Sequence, residues 1–146
     1  MTRFLFFSLF LFSLLPVFSQ DRAEWNIILN KKKIFSAKEE NEQKNIISVK
    51  LSDLKPGKNF TVSYSEPSSV TNKNEWTRTI GVYNSEDKEL IRKNTVSLTL
   101  ANKQLKKLLL ENKTIRIYTW SLPRDPKEAA RVRVRRVHLC TILLKS

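Results

Sequence analysis

Apolar side chains recur at every second position along most of this chain, and this alternation is the feature that most restricts its fold. The segment NFTVSYS (59–65) shows it most clearly, because polar residues separate Phe60, Val62 and Tyr64. Successive side chains of a strand point to opposite faces of a sheet, so this pattern predicts a strand with one buried face. Similar alternation, separated by turn-rich stretches, recurs in 25–29, 47–51, 76–83, 96–100 and 114–122.

One segment departs from this alternation. In 101–112, Leu105, Leu108 and Leu109 are spaced three and four residues apart, as on one face of a helix. Lysines occupy the other side, so we predict one short amphipathic helix of about three turns. With about eight or nine strands, the chain is predicted to be all-β, an antiparallel β-sandwich of the Ig-like or jelly-roll-like kind. The three lysines are Lys103, Lys106 and Lys107.

Residues 1–19 have the features of a secretory signal peptide. Arg3 precedes an apolar run over 4–18, and Val17 and Ser19 stand where signal peptidase reads its cleavage site. This run is shorter than the ~20 residues that a helix needs to cross a bilayer. We therefore predict cleavage after Ser19 and a single domain over 20–146. The mature protein is expected to be secreted or periplasmic, with no transmembrane segment after signal removal.

The positive charge is concentrated in the last third of the chain. The whole sequence has a formal net charge of +13. Residues 101–146 contain twelve Lys or Arg and three Asp or Glu, a net of +9, whereas residues 20–100 contain fourteen and eleven, a net of +3. A field of this kind favours acidic partners, so we expect an anionic polysaccharide, lipopolysaccharide or nucleic acid as the ligand.

The densest positive charge lies in RVRVRRVHLC (131–140). The alternation predicts a strand over 131–144 with a β-bulge at Arg135-Arg136, which would place two successive residues on one side. Two hypotheses remain for the outward arginines. They either bind phosphate, sulfate or carboxylate groups, or pair with cross-strand acids and keep the strand soluble. The predicted core stripe is Val132, Val134, Val137, Leu139, Thr141 and Leu143; the candidate polyanion site is Arg131, Arg133, Arg135 and Arg136, with Lys103, Lys106 and Lys107 adding to the field.

The segment 114–123 contains a second candidate binding feature. Arg116, Tyr118 and Trp120 share one face of the predicted strand. Exposed, they would form a stacking platform for sugars or bases; the alternative is that they belong to the core or lie under a covering loop. Arg78 shares a face with Trp76 and other apolar residues, and a buried arginine needs a partner, so we predict a partly open groove there.

The residues needed for catalysis or metal binding are scarce. The chain has one histidine and one cysteine, His138 and Cys140, which are too few for a closed metal site. The carboxylates within 39–42 lie in a polar loop rather than on a rigid element. With only two glycines, no phosphate-binding glycine loop is available. We therefore expect a protein that is not an enzyme and uses no cofactor.

The segments WTRTIGVY (76–83), IRIYTWSLPRDP (115–126) and RVRVRRVHLCTILL (131–144) resemble small exported proteins of Bacteroidetes-type bacteria, a group with no assigned activity. The resemblance covers the C-terminal half of the chain. It implies a bacterial exported origin and no mechanism. Our first hypothesis is a non-enzymatic binding module for polyanionic or envelope-glycan ligands. The alternative is a protein-interaction or adaptor subunit of the cell envelope without a small ligand.

Overall fold

The computed structural model describes residues 21–145, so the predicted signal peptide, 1–19, lies outside the described residues. Over residues 21–145 no helix is long and apolar enough to cross a membrane. Besides two short 3-10 helices, Leu51–Asp53 and Lys73–Glu75, the elements of this part of the chain are nine strands and two α-helices. In chain order they are β1 (Glu24–Leu29), β2 (Lys32–Ala37), β3 (Ile46–Lys50), β4 (Asn59–Ser65), β5 (Trp76–Asn84), β6 (Glu89–Asn94), β7 (Ser97–Ala101), α1 (Asn102–Asn112), β8 (Thr114–Pro123), α2 (Pro126–Ala129) and β9 (Val137–Lys145).

The strands form two sheets. Four strands make the first sheet in the order β2-β1-β4-β7, and five make the second in the order β3-β9-β8-β5-β6. The predicted all-β sandwich with one short amphipathic helix is confirmed. Neighbouring strands are antiparallel except for β3 and β9, which are parallel. Alternation specifies which side chains share a face but not the direction of the neighbouring strand, so the parallel pair could not be predicted from it.

The hydrophobic core lies between the two sheets. Phe60 and Val62 of β4 belong to the same fully buried cluster as Ile117 of β8, which joins residues of both sheets in one core. The indole N–H of Trp25 on β1 donates to the carbonyl oxygen of Leu139 on β9 at 2.7 Å. This bond satisfies a buried donor that would otherwise weaken the core, and it connects the first sheet to the second.

Helix α1 adds to the core through its apolar face. Leu105 and Leu109 are completely buried in the cluster that the two sheets share. The helix ends at Asn112. The next residue, Lys113, has a positive φ of 61°, and its N–H donates to the carbonyl of Leu109 at 2.8 Å. Three lysines remain exposed on the outer side, as the helical spacing predicts: Lys103, Lys106 and Lys107.

The last strand is shorter than predicted. Strand β9 begins at Val137, so the segment 131–136, with its four arginines, lies outside the sheet, and Val134 is 43% exposed. We call 131–136 the arginine segment. The predicted bulge at Arg135-Arg136 is wrong. Alternation produces a strand only where a neighbouring strand accepts its hydrogen bonds, and β8 first pairs with β9 where Thr119 faces Val137.

The last strand does contain an extra residue, but it lies further along the chain than Arg135-Arg136, within β9. Ile117 pairs with Cys140 and Tyr118 pairs with His138, which leaves Leu139 as an extra residue. Both Leu139 and Cys140 therefore reach the core. The predicted core stripe is correct at Leu139. It is wrong at Val134, which is exposed, and Val132 and Val137 are only partly buried. Beyond Leu139 the buried residues are Cys140 and Ile142 rather than Thr141 and Leu143.

Candidate functional site

The outer face of the five-stranded sheet has a cluster of aromatic rings at its centre. Tyr83 of β5 packs edge-on against Tyr118 of β8, with ring centroids 5.7 Å apart, and lies 6.4 Å from the ring of Trp120. Gly81 makes room for them, because a Cβ there would lie 2.7 Å from the Tyr83 ring and 2.9 Å from the Trp120 ring. We call Tyr83, Tyr118 and Trp120 the aromatic face.

Two arginines from other parts of the chain cover the aromatic face. The guanidinium of Arg92 lies 5.3 Å from the centre of the Trp120 ring. That of Arg136 lies 4.8 Å from the Tyr83 ring and 4.9 Å from the Tyr118 ring. Both are within cation–π distance, so cations already occupy the positions that a stacking ligand would take.

This arrangement distinguishes between the two hypotheses for Arg116, Tyr118 and Trp120. Arg116, Tyr118 and Trp120 do lie on one face of β8, as their parity requires. However, Tyr118 is only 8% exposed and Trp120 only 6%. The structure therefore has the alternative arrangement, in which a segment distant along the chain covers the rings.

Ion pairs hold the end of the arginine segment against the sheet. A guanidinium nitrogen of Arg135 lies 2.6 Å from a carboxylate oxygen of Glu40, whose other oxygen accepts the backbone N–H of His138 at 2.7 Å. Arg136 pairs with Asp87 at 2.8 Å, and this hydrogen bond lowers the pKa of the Asp87 carboxyl group. Arg135 and Arg136 thus match the hypothesis of arginines paired with acids, although the acids come from loops rather than from a facing strand.

Arg131 and Arg133 have different surroundings. Both are exposed, and neither side chain forms an ion pair or hydrogen bond with any residue in the described range 21–145. The chain reaches them from α2, where Asp125 accepts the N–H of Lys127 at 2.8 Å and caps the helix. A cleft of about 570 Å³ lies beside this segment. Its lining residues are Glu40, Glu42, Tyr118, Arg133, Val134, Arg135 and Arg136.

The three lysines of α1 are not part of this arrangement. The helix is followed by the start of β8 at Thr114, while the arginine segment joins β9 opposite Thr119, five residues further along β8. At about 3.3 Å per residue this separation is ~17 Å along the strand. Lys107 lies 4.0 Å from Glu111. Lys103, Lys106 and Lys107 therefore add to the long-range field without sharing a surface with the arginines.

His138 and Cys140 do not form a reactive pair in this geometry. The extra residue Leu139 separates them, and the His138 ring packs edge-on against Tyr118 on the outer face, at 5.5 Å. Cys140 belongs to the core, where complete burial strongly raises the pKa of its thiol. A thiol that stays protonated is a poor nucleophile. Among the described residues no three His, Cys, Asp or Glu side chains are grouped as metal ligands.

A polar groove lies where Arg78 reaches the side of the sandwich. Arg78 lies on the core side of β5, is paired with Glu66 at 2.6 Å, and stacks over the Tyr64 ring at 4.4 Å. The side chains of Arg78 and Glu66 are only 15% and 19% exposed. Beside them is a groove of about 270 Å³ that Trp76 and Arg124 also line.

Sequence analysis missed the partners that organise this face. The sequence predicts a polar loop at Glu40 and contains no pattern that distinguishes Asp87 or Arg92. Glu40 is 95 residues from Arg135 and Asp87 is 49 residues from Arg136, so no local pattern connects them. The sequence offers one general signal: residues 101–146 contain only three acidic side chains, so a carboxylate partner for these arginines has to come from elsewhere in the chain.

No family model, no curated protein and no solved structure matches this chain.

Proposed function

We propose that this protein is a non-enzymatic binding module, secreted or periplasmic, that binds polyanions such as acidic envelope glycans through the arginine segment. The observation that carries the proposal is that the four arginines of the six-residue arginine segment have different surroundings. Arg135 and Arg136 are held by carboxylates, whereas Arg131 and Arg133 are exposed and have no acidic partner among the described residues. Two neighbouring guanidinium groups on an anchored segment suit bidentate contacts with sulfate, phosphate or carboxylate groups.

The charge distribution supports an acidic ligand. Residues 101–146 have a net charge of +9, from twelve basic and three acidic side chains. A field of this size attracts anions before contact, and the lysines of α1 contribute to it from a distance. In this proposal the lysines accelerate association, and Arg131 and Arg133 form the contacts that persist.

Heparin is a suitable first probe because it is a flexible, sulfated polyanion. We expect Arg131→Gln/Arg133→Gln to weaken heparin binding by about tenfold at moderate salt, and to reduce the slope of log K against log salt by about one per lost contact. The matched control is Lys32→Gln/Lys33→Gln, which removes the same charge from two exposed positions at the start of β2. Affinity measured by fluorescence anisotropy over a salt series distinguishes the two variants.

Two results would contradict the proposal. Affinity that does not change with salt would exclude counterion release as the source of binding. Equal losses in the two double variants would mean that total charge, rather than the arginine segment, determines affinity. A specific envelope protein that is retained in pull-downs by the Arg131→Gln/Arg133→Gln variant would favour the alternative of an adaptor subunit.

A further inference from the structure

A second cleft lies on another part of the molecule and has a different composition. Its volume is about 450 Å³, within the ~300–1,000 Å³ of small-molecule sites. It is formed where the end of β3, the turn after it, the end of α1 and the end of β9 meet. The apolar part of its lining is Leu51, Leu110 and Leu144, and the charged part is Lys50, Lys113 and Lys145.

Backbone pairing brings the three lysines together. Lys50 and Lys145 are directly paired across the parallel strands β3 and β9. Lys113 lies beside them, because its carbonyl oxygen accepts the N–H of Leu144 at 2.9 Å. Like charges in register on neighbouring strands destabilise a sheet unless something of opposite charge lies between them.

No acidic side chain neutralises this cluster within the described residues. None lines the cleft. The carboxylate of Asp53, three residues after Lys50, accepts the backbone N–H of Lys50 at 2.9 Å and forms no ion pair with the three ammonium groups. Glu111 lies near Lys107 instead. The cluster therefore presents three positive charges beside an apolar surface, which fits a ligand with an anionic head.

We propose that this leucine–lysine cleft binds a monomeric fatty acid, with its acyl chain against the leucines and its carboxylate among the lysines. The aliphatic stems of the lysines extend the apolar wall while their ammonium groups reach the carboxylate. Burying an acyl chain against three leucines gains the hydrophobic free energy that an inorganic anion lacks. The site is separate from the arginine segment and does not rest on the function proposed for that segment.

The shape of the cleft favours a single acyl chain over a membrane surface. Leu51 is 36% exposed and Leu110 45% exposed, while Leu144 is partly buried against the core. Insertion into a bilayer interface needs a broad apolar surface that protrudes from the protein. Here the three leucines line one open cleft of about 450 Å³, the size of a single small ligand rather than of a broad membrane-facing surface.

The test uses laurate below its micellar concentration as the probe, with binding measured by titration calorimetry on the protein with residues 1–19 removed. We expect one laurate per chain, and binding at least about tenfold weaker for dodecyltrimethylammonium, which has the same chain and the opposite charge. Leu110→Gln is expected to weaken laurate binding by about tenfold. Leu110 is exposed, so this change should leave the fold intact, and its matched control is Val96→Gln, at an apolar residue that is 50% exposed elsewhere.

A triple variant tests the lysines. Lys50→Gln/Lys113→Gln/Lys145→Gln should weaken laurate binding by about tenfold or more, whereas Lys103→Gln/Lys106→Gln/Lys107→Gln, with the same loss of charge, should change it by less than about twofold. Equal effects of the two triples, or equal affinity for the two amphiphiles, would overturn the proposal. So would binding to phosphatidylglycerol vesicles without binding to laurate. If Leu110→Gln weakens laurate binding but leaves heparin affinity unchanged, the laurate site is distinct from the arginine segment.

Discussion

His138 is a buried polar residue whose protonation is expected to make the stability of the protein depend on pH. Its side chain is completely buried, and Nε2 lies 2.8 Å from the hydroxyl oxygen of Thr141. Nδ1 has no hydrogen-bond partner among the described residues. Burial lowers the pKa of His138, against the opposite effects of Glu42 and Glu40. A proton on this ring would place an incompletely paired charge inside the protein.

We expect the free energy of unfolding to fall as the pH is lowered below about 6.5. Because the pKa of His138 is lower in the folded state than its ordinary value of 6.5, the unfolded chain takes up the proton first. The stability linked to His138 is therefore present above pH 6.5 and is lost as the pH falls through the folded-state pKa. Urea unfolding at about pH 7.5 and about pH 5.5 measures this change. If His138→Gln loses as much stability as the wild type over that range, His138 is not the responsible group.

At the scale of elements, ion pairs and cation–π contacts with tyrosine rings together hold the arginine segment on the sheet. Arg136 covers two tyrosines and pairs with Asp87, whereas Arg133, three residues earlier, is exposed without such contacts in the described part of the chain. The same residue type therefore has two roles within one segment. Arg136 fixes the segment on the sheet, whereas Arg133 remains exposed.

Arg136→Gln and Arg133→Gln should separate these roles. We expect Arg136→Gln to lower the free energy of unfolding by about 1 kcal/mol, because its cation–π contacts with Tyr83 and Tyr118 are lost. Arg133→Gln should change it by less than about 0.5 kcal/mol, as is usual for exposed positions. Urea unfolding gives both values, and near-ultraviolet circular dichroism reports the environment of the tyrosines. A larger loss of stability in Arg133→Gln than in Arg136→Gln would contradict this assignment.

The elements themselves were largely predictable. The alternation in 59–65 placed Phe60 and Val62 in the core, and the helical spacing placed Leu105 and Leu109 there, as the structure confirms. Both patterns are local, since side-chain direction follows from backbone geometry over a few residues. The prediction was wrong at 131–136, where the same alternation occurs without a neighbouring strand to pair with.

At the scale of the whole molecule, the charge is distributed over separate surfaces. The arginine segment and the leucine–lysine cleft are both basic, but they lie on different parts of the fold. The side chains that surround the positive charges also differ between them. Net charge alone predicts only an acidic partner. The neighbouring side chains, guanidinium groups in one case and leucines in the other, decide which acidic partner suits each surface.

The signal-peptide features of residues 1–19 predict that the protein is exported. We expect the exported protein to begin at Gln20, because Val17 and Ser19 occupy the positions that signal peptidase reads. Expression of the full chain in a bacterium, fractionation of periplasm and medium, and N-terminal sequencing would identify the first residue. A product that retains residues 1–19 in the membrane fraction would show that the segment is an anchor.

The sequence by itself determined most of the strands, the longer helix and most of the core, because alternation and helical spacing follow from backbone geometry within each segment. Only the tertiary structure decided the partners of the arginines, the covering of the aromatic face and the convergence of Lys50, Lys113 and Lys145. These features depend on contacts between residues far apart in the chain, such as Glu40 and Arg135, which are 95 residues apart. Such contacts form only when the sheets pack, so no local pattern in the sequence specifies them.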